Sequence, residues 1–284
     1  MKRVLIAGSG SYIGVQLAEW LGRTPEQYEI VTLSLRGSGW RGFDLSGFDT
    51  VVMVAGLAHR RETQEAAPEY DAVNHVLPVQ VAKAAKAAGV KQLIFFSSMS
   101  VYGLTTGRIH AHTDPAPNTA YGTSKLAAER DLTLLADEGF HVAVLRPPMI
   151  YGPGCRGNYP RLSALIRKTP VFPAVRNERS MLYIGTLCAF LAALIDSGNG
   201  GLYFPQNRVY VATSELARQI AKAHGKRLWL FHGAGWLFRL FAARSGTAGR
   251  LFGTLTYDQS MSDAFRPAQE LSFADSIRAT EVQV

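Results

Sequence analysis

Short apolar runs alternate with stretches of helical periodicity along the first half of the chain. The strand candidates are the runs 3–7, 29–34, 50–55, 92–97 and 141–146, with a further one at 201–206. Apolar residues at helical spacing predict helices over 11–22, 67–88 and 119–138. Strands that alternate with helices form parallel sheets with helices on both faces. The pattern therefore predicts an α/β fold built on a doubly wound parallel sheet.

A glycine-rich turn follows the first strand directly. Gly8 permits a turn that a side chain would obstruct, and Gly14 lets the next helix approach the strand closely. The free backbone N–H groups of such a turn, together with a helix N-terminus, attract a pyrophosphate. The segment predicts a dinucleotide-binding unit whose candidate contact residues are Gly8, Gly10, Ser11, Tyr12, Ile13 and Gly14.

The chain pattern changes at two places. Between the second and third strands the run RGSGWRGFDLSG is too short and too glycine-rich for a full helix, so we expect the usual crossover helix to be missing. Beyond Tyr151 the chain turns to Pro, Gly and mixed helix. We expect residues 1–151 to form mainly a dinucleotide-binding domain and residues 152–284 mainly a smaller, interleaved substrate lobe, with some segments returning to the first domain.

A tyrosine, a lysine and a serine form a candidate catalytic trio. Tyr121 and Lys125 lie four residues apart in AYGTSK, so on a helix they point the same way. Free tyrosine, with a pKa of about 10, is a poor base at neutral pH. A neighbouring ammonium and a serine hydroxyl, here Ser98, favour the ionised phenol and make it a usable proton shuttle. The alternative is an incidental Tyr and Lys at the start of a surface helix.

Five motifs in order resemble the extended short-chain dehydrogenase/reductase family, in its group of nucleotide-sugar epimerases, dehydratases and ketoreductases. The motifs are GSGSYIG, VVMVAGLAH, VNHVLP, LIFFSSMSVYG and LRPPMIYGPG. The resemblance extends from Lys2 to about Ile277 and implies a Rossmann-type fold. Two departures stand out, because Ser11 replaces the middle glycine of the family's turn and Met53 replaces the usual histidine of its third strand.

The resemblance implies further contacts to a nicotinamide cofactor. Ala55 and Gly56 match the small residues along which the cofactor lies in this family. Pro148 and Ile150 belong to the segment whose backbone passes the nicotinamide ring. Lys125 would also hold the nicotinamide ribose. These residues are therefore expected to line the cofactor site.

The choice between NAD and NADP stays open in the sequence. An acidic residue after the second strand would select NAD, but here Arg36 follows that strand and permits NADP. The alternative for Arg36 is a solvated turn residue. Asp44 and Leu45 match the family's acidic and hydrophobic pair beside adenine, which suits either dinucleotide. Both NAD and NADP are therefore candidate cofactors.

Substrate contacts follow from the same resemblance. The residue matching Ser98 hydrogen-bonds the substrate hydroxyl in relatives, and Asn74 matches an asparagine that supports the active-site helix, with a helix cap as its alternative. Arg179 in NERSMLYIG matches an arginine that contacts the nucleotide diphosphate, with a surface salt bridge as its alternative. The candidate substrate-binding residues are Ser98, Met99, Tyr121, Asn158 and Arg179.

The implied chemistry is hydride transfer between a sugar carbon and the nicotinamide, with Tyr121 moving the hydroxyl proton. We favour 4-epimerisation of a UDP-hexose or UDP-N-acetylhexosamine through a 4-keto intermediate, for cell-surface polysaccharide synthesis. An NADPH-dependent 4-keto-sugar reductase is the alternative, favoured by Arg36 and the missing crossover helix. Dehydration is disfavoured because Met99 and Ser100 replace the Asp-Glu pair of dehydratases. A catalytically silent dinucleotide sensor is a third hypothesis, which the retained Tyr121 and Lys125 oppose.

Composition and charge narrow the partners. The 284 residues are 47% hydrophobic and 18% charged, as is ordinary for a globular enzyme. The net charge is +8, but the basic residues are scattered, so an anionic nucleotide sugar is a simpler partner than nucleic acid. Cys155 and Cys188 have no metal-ligand spacing, and His59, His110 and His112 form no metal pattern, so we predict no metal site. Two isolated cysteines favour reduced thiols in the cytoplasm.

The N-terminus shows no secretory signal, and no apolar run reaches the ~18 residues of a spanning helix. The aromatic-rich segment 228–246 is expected to form a buried face of the C-terminal lobe, with peripheral membrane contact as the alternative. The resemblance also admits a homodimer formed through helices.

Overall fold

A parallel sheet of six strands organises the structure, a computed structural model that describes residues 1–58, 66–232, 252–265 and 270–282. The strands in chain order are β1 Lys2–Ala7, β2 Tyr28–Leu33, β3 Thr50–Met53, β4 Gln92–Phe96, β5 Gly107–Ile109, β6 His141–Leu145, β7 Met149–Tyr151, β8 Val171–Pro173, β9 Met181–Tyr183, β10 Gly201–Tyr203, β11 Trp229–Phe231 and β12 Leu255–Tyr257. The order across the large sheet is β10-β6-β4-β3-β1-β2, and every pairing in it is parallel.

Helices cover both faces of this sheet. They are α1 Tyr12–Leu21, α2 Ala67–Asp71, α3 Leu77–Ala87, α4 Ala120–Thr133, α5 Asn158–Lys168, α6 Ile184–Ser197, α7 Thr213–Ala223 and α8 Phe273–Glu281. In β1, Val4 and Ile6 pack in the cluster that includes α1 and α6, whereas Leu5 and Ala7 pack in the cluster that includes α3 and α4. Alternate residues of a strand point to opposite faces, so the central strands are apolar on both. The predicted doubly wound parallel sheet is confirmed.

Several predicted elements end earlier than their apolar pattern. Helix α4 ends at Thr133 rather than at 138, because the Asp137 carboxylate accepts the N–H groups of Gly139 at 2.8 Å and Phe140 at 2.9 Å in a tight turn. Strand β10 ends at Tyr203 rather than at 206, since Pro205 cannot donate to the ladder. The remaining predicted strands and helices differ by one or two residues at their ends.

The connection between β2 and β3 contains a single turn of 3-10 helix, Gly39–Gly42. Trp40 of this turn is 5% exposed and packs in the core where a crossover helix would otherwise lie. The prediction that this helix is missing is confirmed, and β2 stays an edge strand of the sheet.

A third apolar cluster holds the smaller lobe together. It joins α5, α7 and α8 with β8 and β11. Strands β7 and β9 pair with one another, as do β5 and β12, while β10 and α6 return to the large sheet. The division into lobes at residue 151 stays a prediction.

No helix in the described ranges is long and apolar enough to cross a membrane. Of the segment 228–246, residues 228–232 are described and residues 233–246 lie outside the described part of the chain, as does His59.

Candidate active site

The glycine turn after β1 is shaped by two close approaches. Gly8 has φ +126°, and a Cβ there would lie 2.5 Å from the backbone nitrogen of Ala55. A Cβ on Gly14 would lie 2.7 Å from the Ser11 hydroxyl and 3.1 Å from Ile6 Cγ2. Neither position accepts a side chain without a shift of backbone or core. The close helix–strand approach expected of a dinucleotide-binding turn is therefore present.

Ser11 takes a structural role at the position of the family's middle glycine. It is the N-cap of α1, and its Oγ accepts the Gly14 N–H at 3.1 Å. The first turn of α1 contains no acidic residue. A Cβ on Gly10 would meet nothing within 4 Å, so the turn is open at that point. A capped helix N-terminus without a carboxylate, facing open space, fits the pyrophosphate of a dinucleotide.

Tyr12 and Ile13 follow the turn and pack against the apolar cluster, as does Ile150 of β7. The Tyr12 hydroxyl is buried and has no hydrogen-bond partner within the described residues. Burial, followed by the nearby Cys155 and Cys188, raises the pKa of Tyr12 above its ordinary value. The phenol is therefore neutral and acts as packing between the glycine turn and β7.

The catalytic candidates meet where β4 ends and α4 begins. Ser98 is the N-cap of a 3-10 turn, Met99–Tyr102, and its Oγ accepts the Ser100 N–H at 3.1 Å. Helix α4 starts against this turn, because a Cβ on Gly122 would lie 2.6 Å from the Ser100 carbonyl oxygen. The close approach brings the Tyr121 phenol beside the Ser98 side chain, near enough for Ser98 to lower the pKa of the phenol.

Burial sets the acidity of Tyr121 and Lys125. Desolvation raises the pKa of Tyr121, the neighbouring Ser98 side chain lowers it, and Tyr70, in edge-on contact at 6.2 Å between ring centroids, raises it. Lys125 is not among the groups that shift the Tyr121 pKa, in contrast to the expected effect of its ammonium. Its Nζ donates to the Phe96 carbonyl oxygen at 2.7 Å. Burial lowers the pKa of Lys125 to about 7, and Glu129 opposes that shift.

Asn74 joins the strand edge to helix α4. It is fully buried inside a π-helical segment, Ala72–Val76, between α2 and α3, so the helix-cap alternative is wrong. Its Oδ1 accepts the Leu57 N–H at 2.7 Å, and its Nδ2 donates to the Leu57 carbonyl at 3.0 Å and to Ser124 Oγ at 3.4 Å. A Cβ on Gly56 would lie 3.3 Å from Asn74 Oδ1 and 3.4 Å from Lys125 Nζ. Gly56, Asn74 and Lys125 therefore converge on one point.

A buried ionic network lies behind Lys125. Arg146 Nη2 and Glu129 Oε2 are 2.5 Å apart, and Arg146 Nε also donates to Glu129 at 3.0 Å. Arg146 Nη1 donates to the Tyr102 hydroxyl at 2.8 Å, and the Ser97 hydroxyl donates to Glu129. This network was not predicted from the sequence. Its signal was the four-residue spacing from Lys125 to Glu129, which puts both side chains on one helix face.

The other cofactor candidates lie apart from this cluster or inside the fold. Arg36 is exposed, and its N–H donates to Ser34 Oγ at 3.4 Å. Asp44 accepts the N–H and hydroxyl of Ser46, each at 2.9 Å, and these bonds lower its pKa. Leu45 is 6% exposed and packs in the core. Both members of the predicted adenine pair are thus occupied by contacts within the fold.

The two remaining cofactor candidates, Pro148 and Ala55, lie in connections that follow strands of the large sheet. Pro148 is buried between β6 and β7. Ala55 donates its N–H to the Ala7 carbonyl at 3.0 Å, which holds it beside the glycine turn.

The substrate candidates come from separate elements. Met99 donates its N–H to the Pro147 carbonyl at 3.0 Å, and Asn158 is exposed as the first residue of α5. The Arg179 guanidinium is half-buried and donates to the Gly253 carbonyl at 2.8 Å. No carboxylate in the described part of the chain pairs with it, and burial lowers its pKa. Within the described residues, the alternative that Arg179 forms a surface salt bridge is therefore wrong.

The sequence profile of the NAD dependent epimerase/dehydratase family matches residues 4–204, more than half of the chain. The chain belongs to this family. The prediction of an enzyme of the extended short-chain dehydrogenase/reductase type is confirmed, as is a nicotinamide dinucleotide as its cofactor.

Relatives of known name agree with this membership. A UDP-glucose 4-epimerase of Vibrio cholerae is 31% identical over 91% of this chain and 88% of its own length. An N-acetyl-alpha-D-glucosaminyl-diphospho-ditrans,octacis-undecaprenol 4-epimerase of Escherichia coli O157:H7 is 30% identical over 66% of this chain and 58% of its own. The crystal structure of a UDP-glucuronic acid 4-epimerase from Bacillus cereus in complex with NAD superimposes with a TM-score of 0.76 and 18% identity, covering 98% and 97% of the two chains. That likeness shows the shared fold.

Proposed function

We propose that this chain catalyses the 4-epimerisation of a UDP-hexose or UDP-N-acetylhexosamine through a transient 4-keto sugar. The observation that carries the proposal is that the Tyr121 phenol lies beside Ser98, one helical turn from the buried Lys125. The likeness to the Vibrio cholerae UDP-glucose 4-epimerase along 91% of the chain supports the reaction and the UDP-sugar. Synthesis of cell-surface polysaccharide is the process that such a product would serve.

Tyr121 and Ser98 would act on one sugar oxygen. The Tyr121 phenolate takes the proton of the 4-hydroxyl as the carbinol is oxidised, and the resulting phenol returns it when the ketone is reduced, while the Ser98 hydroxyl holds that oxygen in line. The raised pKa of Tyr121 keeps the phenol protonated at neutral pH and so suits the step that returns the proton. For the opposite step the phenol must lose its proton, which a positive charge near the ring would favour.

A bound nicotinamide dinucleotide supplies reversible hydride transfer. The glycine turn and the N-terminus of α1 would hold its pyrophosphate, and the Ala55–Gly56 edge would lie along it. Lys125 Nζ, close to Gly56, would reach the ribose, and Pro148 and Ile150 would border the ring. Epimerisation further requires that the ketone turn within the site before it is reduced on its other face.

The substrate side has one strong anion-binding candidate. A half-buried guanidinium that lacks a carboxylate partner among the described residues is suited to a diphosphate, so we assign that role to Arg179. Asn158, exposed at the start of α5, is a second candidate for the same group. Met99 and Ser100 follow Ser98 without a carboxylate, which supports epimerisation over dehydration.

A 4-keto-sugar reductase that uses NADPH is the second candidate function. Arg36 favours it, because this exposed guanidinium follows β2 in the place of the acid that would select NAD. A homodimer remains a prediction of the resemblance, and a cytoplasmic location remains a prediction from the two isolated cysteines.

Two measurements test the proposal. The first is mass spectrometry of the cofactor released from the purified protein, followed by assays with UDP-glucose and UDP-N-acetylglucosamine. Retained NAD with epimer formation supports the epimerase. An empty site with turnover of 4-keto sugars only in the presence of NADPH favours the reductase. Dinucleotide binding without any turnover favours the silent sensor.

The second measurement is the substitution Tyr121→Phe, with Tyr28→Phe as the matched control. Tyr28 is the first residue of β2, and its hydroxyl donates to Asp196 at 2.8 Å, outside the proposed site. Loss of the proton shuttle should lower turnover about 10²- to 10⁴-fold, with dinucleotide binding kept. Turnover of Tyr121→Phe close to that of Tyr28→Phe would show that the assigned mechanism is wrong.

A further inference from the structure

The small lobe has an apolar face on a two-stranded ribbon, which we call the β8–β11 ribbon (Val171–Pro173 and Trp229–Phe231). Trp229 pairs with Val171 and Leu230 with Phe172 in parallel register. Leu230 and Phe172 point into the apolar cluster of the lobe. On the outward face Trp229 is 70% exposed and Val171 is 43% exposed. Outward positions of a sheet that faces water are ordinarily polar, so these two apolar side chains need an explanation.

Four cations border one end of this ribbon. Arg167 and Lys168 end α5, just before β8, and Lys226 and Arg227 precede β11. The two segments are tied together, because Lys226 Nζ donates to the Arg167 carbonyl and the Trp229 N–H donates to the Pro170 carbonyl at 2.9 Å. With Thr169 and Pro170, the four cations line a surface depression of about 270 Å³. Four positive charges therefore surround one small concavity beside an exposed indole.

These charges are not neutralised by the protein as far as it is described. No ion pair among residues 1–58, 66–232, 252–265 and 270–282 includes Arg167, Lys168, Lys226 or Arg227. Like charges held close together repel one another and cost stability unless an anion compensates them. The cluster is therefore suited to an anionic partner.

We propose that the β8–β11 ribbon and its four cations dock the small lobe on the surface of an anionic lipid bilayer, with Trp229 at the level of the headgroups. A tryptophan beside clustered Lys and Arg is the combination that membrane interfaces favour, since the indole partitions into the headgroup layer while the cations meet anionic lipid. Docking does not depend on the chemistry at Tyr121.

Charge and shape favour a bilayer over other occupants. A second copy of this ribbon would bring four cations against four cations, which opposes self-association through this face. A single strand of nucleic acid is bound along an extended basic groove with stacked aromatic rings. Here the four cations are gathered at one end of the ribbon, beside the exposed Trp229, Phe231 and Val171. A bilayer needs only one insertion point and a compact cluster of positive charge.

Vesicle flotation with the full chain tests the proposal. Vesicles of phosphatidylcholine mixed with phosphatidylglycerol should bind the protein, vesicles of phosphatidylcholine alone should bind it weakly, and salt should weaken the binding. Each Lys or Arg near an anionic surface contributes about five-fold in affinity. The double substitution Lys168→Gln with Arg227→Gln should thus lower binding about 25-fold, and Trp229→Ser should also lower it.

The matched control is Lys83→Gln with Lys91→Gln, two exposed lysines elsewhere on the molecule that remove the same net charge. Unfolding midpoints of all variants establish that they fold. Equal losses in the two double variants, or no binding to phosphatidylglycerol vesicles, would overturn the proposal. The proposal would also be overturned if the wild-type protein did not bind the vesicles and Trp229→Ser abolished self-association in sedimentation or binding of an oligonucleotide. The exposed face would then bind a second copy or a nucleic acid instead of a bilayer.

Discussion

Substitution of Glu129 by glutamine tests the buried network behind Lys125. Glu129 is 5% exposed and Arg146 is 7% exposed, and the two share bonds of 2.5 and 3.0 Å. Glutamine keeps the shape of the side chain but removes its charge. The Arg146 guanidinium would then remain buried without a counter-ion, with the Tyr102 hydroxyl and the glutamine amide oxygen as its polar partners in the network.

The expected cost follows from the burial of this pair. Removing one member of a buried ion pair costs about 3–5 kcal/mol, because the other charge stays desolvated. Such a loss is a large share of the roughly 5–15 kcal/mol by which folded proteins are stable. For Glu129→Gln we expect a loss of unfolding free energy near the lower end of the range of about 3–5 kcal/mol, because the amide oxygen of glutamine still accepts one hydrogen bond.

Urea unfolding at neutral pH measures the change, with Glu29→Gln as the matched control. Glu29 bonds Arg3 at 3.0 Å, but both side chains are about two-fifths exposed, at 40% and 39%. An exposed pair contributes roughly 0–1 kcal/mol, so Glu29→Gln should have little effect. Equal destabilisation of the two variants would refute the argument from burial.

Activity gives a second readout of Glu129. Its charge raises the pKa of Lys125 against the larger lowering by burial. Without that charge Lys125 should lose its proton at a lower pH than in the wild type. The alkaline limb of the activity profile should therefore move to lower pH in Glu129→Gln and stay in place in Glu29→Gln.

Two more predictions concern Lys125 and the glycine turn. Burial lowers the pKa of Lys125 to about 7, below its unfolded value, so between about pH 7 and pH 10 the unfolded chain binds the extra proton. As the pH rises over that range, the free energy of unfolding of the wild type should increase by up to about 1.4 kcal/mol per pH unit relative to that of Lys125→Met. If urea unfolding instead gives a constant difference between the two proteins, Lys125 stays charged in the folded state. Gly8→Ala should abolish NAD binding in titration calorimetry, because its Cβ would lie 2.5 Å from Ala55 N at φ +126°. Gly89→Ala, at φ +84° with nothing within 4 Å and outside the glycine turn, should retain binding, and equal losses would contradict the clash.

The sequence predicted the parts of the fold that depend on local pattern. The apolar runs located the strands of the large sheet, and the glycine turn and the Tyr–Lys spacing located two parts of the candidate site. The short run around Trp40 correctly predicted a missing crossover helix. These features succeed because a few neighbouring residues determine them.

Features that depend on distant partners were out of reach. The ion pair between Glu129 and Arg146 joins helix α4 to the residue that follows strand β6. The local sequence of neither segment indicates which residue its partner is. The role of Ser11 as a helix cap is visible only once the start of α1 is known. The raised pKa of Tyr121 likewise depends on its burial and on Tyr70, which comes from another helix. The sequence therefore identified the reactive groups but not the environment that sets their acidity.

The π-helical segment Ala72–Val76 joins α2 to α3, and its exact number of residues determines where the Asn74 side chain points. A π turn accommodates one residue more than an α-helix, and each residue of an α-helix advances the side chain by about 100°. Deletion of His75 would let the α-helical ladder close and would turn Asn74 away from Leu57 and Ser124. Natural or engineered insertions and deletions should therefore be excluded from residues 72–76.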